Sequence, residues 1–452
     1  MGKTIKLKKG FDINIIGKPQ KKVDNNFSSK TYAINPSDFR FIAPIPKLTV
    51  QEGDEVKAGD PIFYDKSNPD IMFCAPVSGE VVEVKRGQKR AIAEIVILAD
   101  KENQYKQFDK VDLNMIDRED LVKHLLGSGC WPMLTQRPYG VLADPTETPK
   151  AIFVSAFDSA PLANDLNFSV AGQQEYLQAG IDALNILSGS TVYMGMSSGQ
   201  SANELTHLKN VETNNFDGPH PAGVVGIQIH HTQPINKGDI VWTVKLLDVI
   251  AIGRMVRDGQ FNTERLFAVG GPSVKNPQYY KGFIGANIEQ MLKDNIQSEN
   301  NRVISGNVLT GIQITPNSHM HFFDNQLTVL EEGDKHELFG WLIPNYPRPS
   351  ISKTFFGNLF GGSKKEFNVN TNTHGEHRAI VVTGEYEKVL PMDLYPMQLV
   401  KSILYNDIDL MEGLGIYEII EEDLALCEFV CTSKTDVQQI IKDGIELMVE
   451  QG

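Results

Sequence analysis

The stretch Ala151-Ile-Phe-Val-Ser-Ala156 is a near-continuous apolar run. Such a run is typical of a strand buried on both faces, as in the middle of a parallel sheet. After it, apolar residues recur at helical spacing between Gln173 and Leu187. Two further apolar runs, 191–194 and 224–229, are predicted as strands. Because strands and helices alternate, the sequence predicts an open, Rossmann-like α/β domain over residues 103–255.

Upstream, residues 1–102 are predicted to form an N-terminal segment followed by a β domain. In 50–63 and again in 75–84, turn residues separate short alternating runs of β-branched residues. Two similar halves of this kind resemble the biotinyl/lipoyl-carrier fold. Carrier proteins present a modified lysine on the hairpin between the halves, and Lys66 lies in that region. The residues around Lys66 lack an acceptor signature and Pro69 disfavours a tight hairpin, so we expect a rigid spacer.

Downstream, the pattern changes twice. Residues 256–332 contain a predicted strand at 265–271 and a predicted helix over about 286–295, which together indicate a small β-grasp-like (SLBB-like) domain. Residues 333–378 are rich in Pro, Gly, Asn and Ser and are predicted to be an irregular connector. Residues 379–452 have helical spacing. The sequence thus predicts a multidomain α+β and α/β protein.

The helical domain contains Cys427 and Cys431 at C-x3-C spacing. An iron–sulfur motif of the form C-x2-C-x2-C-x3-C-P would place its first two cysteines at Glu421 and Leu424. A [4Fe–4S] cluster needs thiolate ligands, which Glu and Leu cannot supply. The segment is therefore interpreted as a relic, in which Cys427 and Cys431 mark former ligand positions and the domain resembles a degenerate ferredoxin domain.

A second stretch, 385–396, has the same spacing with no cysteine at the ligand positions. Two unrelated helix–loop segments are the alternative to a pair of relic half-repeats. Cys427 and Cys431 are expected to be buried small apolar residues, and a metal shared with a partner is the other interpretation.

The composition excludes several classes of protein. Of 452 residues, 41% are hydrophobic and 22% are charged, as in ordinary globular proteins. No run reaches the roughly 18 apolar residues of a membrane span, and no secretory signal is expected. A net charge of −14 disfavours nucleic-acid binding. Four cysteines without framework spacing indicate a reducing cytosol.

The order of these domains resembles that of a known family, the A subunits of the Na⁺-translocating NADH:quinone oxidoreductase (Na⁺-NQR). This family is related to the C subunit of the Rnf complex and to the flavin- and NADH-binding subunit of complex I. The resemblance covers nearly the whole chain. The segments that carry it are Lys9–Asp12, Ala75–Gly79, Phe216–Gly223, Ile304–Gly311, Glu337–Trp341 and Glu421–Cys427.

The resemblance implies a subunit without a transmembrane helix, located peripherally on the cytoplasmic face of the bacterial inner membrane. Its partners would be the other subunits of a six-subunit complex, above all the membrane subunits. That complex passes electrons from NADH to ubiquinone or menaquinone and exports Na⁺. The FMN, FAD, riboflavin and 2Fe-2S groups are expected in other subunits, and no cofactor, metal or catalytic centre is expected in this chain.

The flavin-binding relatives hold FMN and NADH with a glycine-rich loop after a helix, where backbone amides approach phosphate. The matching stretch here keeps Gly127 and Gly129. Cys130 and Trp131 add bulk where phosphate would approach, and Pro132 lacks an N–H donor. A glutamate of the relatives is replaced by Ala160. The sequence therefore predicts a degenerate cofactor loop, whose glycines end a helix.

The altered loop contains residues that suit a quinone: Trp131, Met133, Arg137 and Tyr139. A quinone site needs an apolar, aromatic-lined slot with donors for the carbonyl oxygens. The alternative is that these side chains only fill the former flavin cavity. Both interpretations stay open from sequence.

Other chemistry is weighed against simpler explanations. A flavin or iron–sulfur oxidoreductase of the Rnf C type is the main rival function, and a carrier protein modified at Lys66 is a third. The pairs His319/His321 and His374/His377 have metal-like spacing but lack a third ligand at typical spacing, so surface histidines are expected.

Overall fold

The computed structural model describes residues 2–43, 45–200, 203–334, 348–351 and 365–451. The segment Glu337–Trp341, which contributes to the family resemblance, lies outside the described residues, as does much of the predicted connector. Within the described part, the strands form four sheets of seven, six, four and three strands. No described helix combines the length and apolar character needed to cross a bilayer.

The described strands are numbered in chain order. They are β1 Thr4–Lys6, β2 Val23–Asp24, β3 Thr31–Ile34, β4 Lys47–Leu48, β5 Glu55–Val56, β6 Pro61–Tyr64, β7 Met72–Cys74, β8 Gly79–Arg86, β9 Ile92–Ala99, β10 Thr135–Arg137, β11 Val141–Leu142, β12 Ala151–Ser155, β13 Val192–Ser197, β14 Glu212–Asp217, β15 Val241–Lys245, β16 Arg265–Gly270, β17 Gln278–Gly282, β18 Asn301–Ser305, β19 Ile312–Ile314 and β20 Gln326–Glu331.

The described α-helices are numbered in the same way. They are α1 Arg118–Gly127, α2 Leu166–Ser169, α3 Gln174–Ser188, α4 Asn203–Thr206, α5 Val225–Thr232, α6 Leu246–Asp258, α7 Glu289–Leu292, α8 Tyr386–Val389, α9 Pro396–Leu404, α10 Ile408–Gly413, α11 Ala425–Val430 and α12 Val437–Gln451. Short 3₁₀ helices cover Pro36–Asp38, Gln88–Arg90, Trp131–Met133, Ile416–Glu418 and Glu421–Leu424.

The seven-stranded sheet has the order β1-β14-β13-β12-β15-β10-β11, and its central strands are parallel. The predicted strand at 151–156 is confirmed as β12, and the predicted helix at 173–187 is confirmed as α3. Helices α3 and α6 pack so closely that a Cβ on Gly180 would lie only 2.2 Å from the Val249 carbonyl oxygen. Glycine is therefore required where the two helices cross.

The prediction of a strand at 224–229 is wrong, because this run lies in helix α5. A short apolar run cannot be assigned to strand or helix from periodicity alone. The strand of this region is β14, whose sequence Glu-Thr-Asn-Asn-Phe-Asp is mostly polar and buries only Asn214 and Phe216.

The six-stranded sheet has the order β19-β18-β20-β16-β17-β2. The predicted helix over 286–295 is much shorter in the structure and is reduced to α7. Its first part is extended because Ala286 forms a bridge with Tyr32 and Asn287 forms one with His319. The bridge to Tyr32 attaches this region to the N-terminal β domain. The strands of that domain form the four-stranded sheet β3-β9-β8-β5 and the three-stranded sheet β4-β6-β7.

The first strands of the chain join distant sheets, which the sequence does not reveal. Strand β1 pairs with β14 and forms one edge of the seven-stranded sheet. Strand β2 pairs with β17 and forms one edge of the six-stranded sheet. The N-terminal segment therefore links two sheets before the chain enters the β domain.

Alternate residues of β12 face two separate cores. Ile152 and Val154 belong to a core shared with helices α3 and α6 and with the N-terminal β domain. Ala151 and Phe153 belong to a second core, which they share with the C-terminal helices. The predicted helical character of the C-terminal region is confirmed by α8 to α12. These helices and α5 pack on the same face of the seven-stranded sheet.

Candidate functional site

The degenerate loop follows helix α1 directly. Gly127 is the last residue of α1, and Ser128 caps it through an N–H bond to the His124 carbonyl oxygen. Gly129 has φ +80°, a conformation that favours glycine, and a Cβ there would lie 2.6 Å from Cys74 Cβ. The two glycines thus end a helix and allow close packing against the N-terminal β domain.

The bulky residues of this loop point into the protein core. Cys130 and Trp131 are fully buried. The Trp131 indole N–H donates to the Ala143 carbonyl oxygen at 2.8 Å, and the ring packs edge-on against Trp242 at 5.5 Å between centroids. Trp131 therefore fills space behind the loop.

A cleft of about 390 Å³ opens on the other side of this loop. It lies at the carboxyl ends of β12 and β15, the position where open α/β sheets bind ligands. Met133 and Arg137 line it, together with the aromatic residues Phe157 and Phe323. Of the four predicted quinone-contacting residues, Met133 and Arg137 face the cleft, whereas Trp131 lies behind it.

Arg137 is almost completely buried and binds two consecutive acidic residues of the C-terminal domain. Its Nη1 donates to Asp423 Oδ2 at 2.6 Å, and its Nη2 donates to Glu422 Oε1 at 2.9 Å. Burial alone would lower the pKa of Arg137, but these two carboxylates outweigh burial and raise it. The guanidinium therefore stays charged and ties the loop to the C-terminal helices.

The neighbouring acid, Glu421, binds a third part of the chain. It forms an ion pair with Arg40 of the N-terminal β domain. Arg40 also donates to the Tyr139 carbonyl oxygen at 2.6 Å. The Tyr139 ring packs edge-on against Tyr417, with centroids 6.2 Å apart. Tyr139 thus lies at the seam between domains beside the cleft.

Besides Arg137, the charged residues of the cleft that were not predicted from the sequence include Lys245, Asp324 and Asp158. Lys245 ends strand β15 and donates to the Phe323 carbonyl oxygen at 2.9 Å. Asp324 accepts a hydrogen bond from Ser305 Oγ at 2.6 Å, and burial raises the pKa of its carboxyl group. Asp158 also lines the cleft. The available signal was the position of Lys245, a polar residue directly after a buried parallel strand.

His220 lines the same cleft and is buried. Its Nδ1 lies 3.0 Å from Ser159 Oγ. Burial lowers the pKa of His220 to about 4, so the imidazole is neutral near pH 7. Phe157, Asp158 and Ala160 line both this cleft and a second cleft of about 450 Å³, and Ser159 lines the second one.

The two stretches interpreted from sequence as former iron–sulfur motifs come together in space. Tyr386, in the first stretch, donates its hydroxyl hydrogen to Cys431 Sγ at 3.0 Å, and Cys427 Sγ lies 3.9 Å from the Tyr386 carbonyl oxygen. Both cysteines are buried. Burial alone would raise the pKa of Cys431, but the bonds from Tyr386 and from the Thr435 N–H outweigh it and lower the pKa.

The expectation of a surface position is wrong for His319. This residue is 4% exposed, with Nε2 at 3.0 Å from Thr31 Oγ1 and Nδ1 at 3.3 Å from Glu94 Oε1. His374 and His377 are exposed, as expected. Among the described residues, no group of three or more His, Cys, Asp or Glu side chains is arranged to hold a metal ion.

Three family models match the chain in succession. They describe the NqrA N-terminal barrel-sandwich hybrid domain at residues 5–100, the NqrA second alpha/beta domain at 116–261 and the NQRA C-terminal domain at 266–315. The matched order agrees with the mixed α/β, multidomain architecture predicted from sequence.

Curated relatives match over almost the entire length. The A subunit of the Na(+)-translocating NADH-quinone reductase of Yersinia pseudotuberculosis serotype I (strain IP32953) is 35% identical, covering 99% of this chain and 100% of the relative. Its counterpart from Vibrio campbellii (strain ATCC BAA-1116) is 37% identical with the same coverage.

Among solved structures, an NAD+-reducing [NiFe]-hydrogenase in the air-oxidized state aligns at 10% identity and a TM-score of 0.35, over 75% of this chain and 64% of that chain. That score is too low to support an argument.

Proposed function

This chain belongs to the NqrA family, the A subunits of the Na(+)-translocating NADH-quinone reductase. We therefore propose that it serves as a peripheral, cofactor-free component of that membrane-bound complex. Its role is structural, with a part in quinone access to the complex. The family membership predicted from the order of the sequence segments is confirmed. The Rnf C-type alternative is not favoured, because the matching models and relatives are those of NqrA.

The partners of the chain are the other subunits of the complex, above all its membrane subunits, and its place is the cytoplasmic face of the bacterial inner membrane. The full-length similarity to NqrA supports this assignment. FMN, FAD, riboflavin and the 2Fe-2S cluster belong to those other subunits. The chain is one component of the NADH:quinone reductase and carries no catalytic centre of its own.

The filled loop supports a cofactor-free chain. A phosphate on this loop would need open space beside backbone N–H groups. Instead, the Trp131 indole and the Cys130 thiol are packed inside the core, and Gly129 is pressed against Cys74. Cys427 and Cys431 are enclosed by Tyr386 and the C-terminal helices, where Glu421 and Leu424 occupy the other two ligand positions of the iron–sulfur motif.

We extend the proposal to the finer assignment of the domains. The N-terminal β domain is a biotinyl/lipoyl-carrier-type fold used as a spacer, and the α/β domain is Rossmann-like. The six-stranded sheet is the core of a β-grasp (SLBB-like) domain, and the C-terminal helices are a degenerate ferredoxin domain. The contact between the two relic stretches through Tyr386 and Cys431 supports the last assignment.

The observation that carries the quinone-access role is the cleft at the carboxyl ends of β12 and β15. Its volume of about 390 Å³ is within the range of small-molecule sites. Met133, Phe157 and Phe323 supply apolar wall, and the Lys245 ammonium is a donor that can turn towards a carbonyl oxygen. A flat ring with two carbonyl groups suits such a lining. Of the four sequence candidates, Met133 and Arg137 are therefore retained as cleft residues, and Trp131 supports the wall from behind.

Complementation tests membership of the complex. A tagged copy of this chain is expressed in a bacterium that lacks its own NqrA, and membranes are solubilised and purified by the tag. We expect copurification of the membrane subunits and restoration of Na⁺-dependent NADH:quinone reductase activity. Purification of the chain alone, with no activity restored, contradicts the assignment. A visible spectrum of the isolated chain with stoichiometric flavin or iron–sulfur bands contradicts the cofactor-free part.

A photoreactive quinone tests the access role in the purified complex. We expect labelled peptides of this chain to come from the cleft walls around Met133, Phe157 and Lys245. Met133→Trp adds bulk to the cleft wall and is expected to abolish most labelling. Trp131→Phe, behind the same loop, is the matched control and should leave labelling largely intact. Labelling confined to other segments, or equal loss in both variants, contradicts quinone access through this cleft.

A further inference from the structure

The first 30 residues carry a charge opposite to that of the whole chain. They contain eight lysines and two aspartates, whereas the net charge of the chain is −14. The eight residues, called the lysine belt here, are Lys3, Lys6, Lys8, Lys9, Lys18, Lys21, Lys22 and Lys30. All of them are exposed. Among described residues only Lys21 pairs with a carboxylate, that of Asp165 at 2.6 Å.

The two aspartates of the segment are already engaged in backbone hydrogen bonds. Asp12 Oδ1 accepts from the His220 N–H at 2.8 Å, and Asp24 Oδ1 accepts from the Asn26 N–H at 2.9 Å. Their carboxylates therefore hold local structure, while most of the lysine ammonium groups extend into solvent. The belt is therefore a locally basic segment on an acidic protein.

The belt is an ordered surface, because its backbone is fixed along its length. Strand β1 pairs with β14, and strand β2 pairs with β17. Between them, the Gly10 N–H donates to the Lys388 carbonyl oxygen at 3.3 Å and the Ile16 N–H donates to that of Phe367 at 3.1 Å. Binding through the belt therefore does not first have to order a flexible tail.

The residue type indicates what the belt recognises. Arginine is absent from the first 39 residues of the sequence. Arginine forks recognise single carboxylates or phosphates bidentately, whereas lysine ammonium groups act as hydrated point charges. A row of lysines without arginine suits a surface that presents many diffuse anionic groups, such as the headgroups of acidic lipids.

An aromatic pair lies directly beside the belt. Phe11, two residues after Lys9, stacks on Phe429 with ring centroids 6.4 Å apart and an interplanar angle of 20°. Phe429 is 39% exposed. Aromatic rings prefer the headgroup depth of a bilayer, so this pair adds apolar contact at the point where the lysines are densest.

We propose that the lysine belt, with the Phe11–Phe429 pair, is a docking surface for the anionic headgroups of a lipid bilayer. This inference goes beyond the proposed function, because it assigns to the chain a lipid contact of its own that does not depend on the other subunits. An acidic face of a partner protein is the competing occupant. The lysines without arginine, beside the half-buried Phe11 and the exposed Phe429, favour lipid.

The test uses the purified full-length chain and vesicle flotation. One vesicle population is phosphatidylcholine alone, and the other contains one third phosphatidylglycerol. We expect binding to the anionic vesicles only, and we expect it to fall as salt is raised, since salt screens exposed charges. Equal flotation with both vesicle types, or none with either, overturns the proposal.

Two quadruple variants distinguish an effect of the lysine belt on vesicle binding from an effect of the overall net charge. Lys3→Gln, Lys6→Gln, Lys8→Gln and Lys9→Gln together should weaken binding to anionic vesicles by about tenfold or more. The control variant combines Lys47→Gln, Lys57→Gln, Lys89→Gln and Lys101→Gln, which removes the same charge from exposed positions of the N-terminal β domain. It should change binding by less than about twofold. Unchanged thermal melting establishes that both variants are folded.

Two results of this comparison contradict the proposal. Equal weakening in both variants would show that only overall charge matters. A belt variant that binds vesicles normally but no longer copurifies with the membrane complex would assign the belt to an acidic protein partner.

Discussion

Arg137 Nη1 lies 2.6 Å from Asp423 Oδ2, although 286 positions separate the two residues in the chain. The arginine side chain is 2% exposed and that of the aspartate is fully buried. Together with Arg40–Glu421, this pair attaches the C-terminal helices to two other domains. These ion pairs and the second hydrophobic core together hold the C-terminal helices beside the cleft.

Removal of one member of this pair should be costly. Arg137→Met leaves the Asp423 carboxylate buried without its cation, and we expect a loss of about 3–5 kcal/mol in the free energy of unfolding. The double variant Arg137→Met/Asp423→Leu should lose much less than the sum of the single variants. Some cost should remain, because Asp423 Oδ2 also accepts from the Ile420 N–H at 2.8 Å. Urea unfolding followed by circular dichroism measures all three, and strictly additive losses would contradict the coupling.

Helix α5 touches the same carboxylate. A Cβ on Gly226 would lie 2.1 Å from Asp423 Oδ1. Helix propensity alone would make Gly226→Ala stabilising by about 1 kcal/mol. We expect the reverse, a destabilisation of about 1–3 kcal/mol, because the buried carboxylate has to move.

Gly127 provides the matched control for this substitution. It also lies in a helix, and a Cβ there would have no atom within 4 Å. Gly127→Ala should therefore be neutral or slightly stabilising in the same thermal melts. If Gly226→Ala raised the melting temperature as well, the close approach of α5 to Asp423 would be wrong.

The environment of Glu94 leads us to expect that the free energy of unfolding falls in acid. The hydrogen bond with His319 is the largest effect on the pKa of Glu94, and it lowers this pKa. Burial acts in the opposite direction, and the bond from Lys85 lowers the pKa further, so that it is about 2. A depressed carboxyl pKa contributes stability that is complete above the unfolded value, near 4.5, and that is lost as the pH falls towards 2. After allowance for solvent screening, the contribution is about 1–3 kcal/mol.

Urea unfolding of Glu94→Gln between pH 6 and pH 2, roughly the window set by this shift, measures that contribution. The difference in free energy of unfolding between the original chain and the variant should be largest above pH 5, about half a unit above the unfolded pKa, and should shrink as the pH falls. Glu102→Gln removes an exposed carboxylate and should show little difference at any pH. A difference that stayed constant with pH would show that Glu94 contributes by packing alone.

The four cysteines should differ in reactivity. Burial raises the pKa values of Cys74, Cys130 and Cys427, whereas the hydrogen bonds from Tyr386 and Thr435 outweigh burial and lower that of Cys431. Because the thiolate is the reactive form, limited iodoacetamide treatment near neutral pH should modify Cys431 first. Tyr386→Phe should slow that reaction, because it removes a hydrogen bond that lowers the pKa of Cys431. Peptide mass mapping over time gives the order, and earlier labelling of Cys427 would contradict this prediction.

The sequence predicts the parts of the fold that depend on local pattern. Strand β12 and helix α3 are predicted correctly because burial on both faces and a period of 3.6 leave clear signals. Strand β14 is missed because only two of its six residues are buried and the rest are polar. Helix α5 is misassigned because a short apolar run suits either state. Strand β1 has no local signal at all, since its pairing with β14 depends on residues far along the chain.

The same limit applies to the site. The loop from Gly127 to Arg137 can be recognised as degenerate from its bulky residues, but the direction of each side chain cannot. Trp131 and Met133 are two positions apart, and one fills the core while the other lines the cleft. Residue spacing cannot identify Glu422 and Asp423 as the partners of Arg137. The three consecutive acids at 421–423 are the one local sign that buried cations lie nearby. Lys245 is missed because a single lysine after an apolar strand is common.

Strand β1 is synthesised long before β14, the strand with which it pairs. Thr4 is aligned with Asn215 and Ile5 with Phe216, so β1 cannot pair until more than two hundred further residues have been made. At typical rates of about 5–20 residues per second, that interval is roughly 10–40 s. During this time Leu7 and Ile13, which end in the second core, are exposed to solvent or held by a chaperone. The β1 edge of the seven-stranded sheet therefore forms only after about half of the chain has been synthesised.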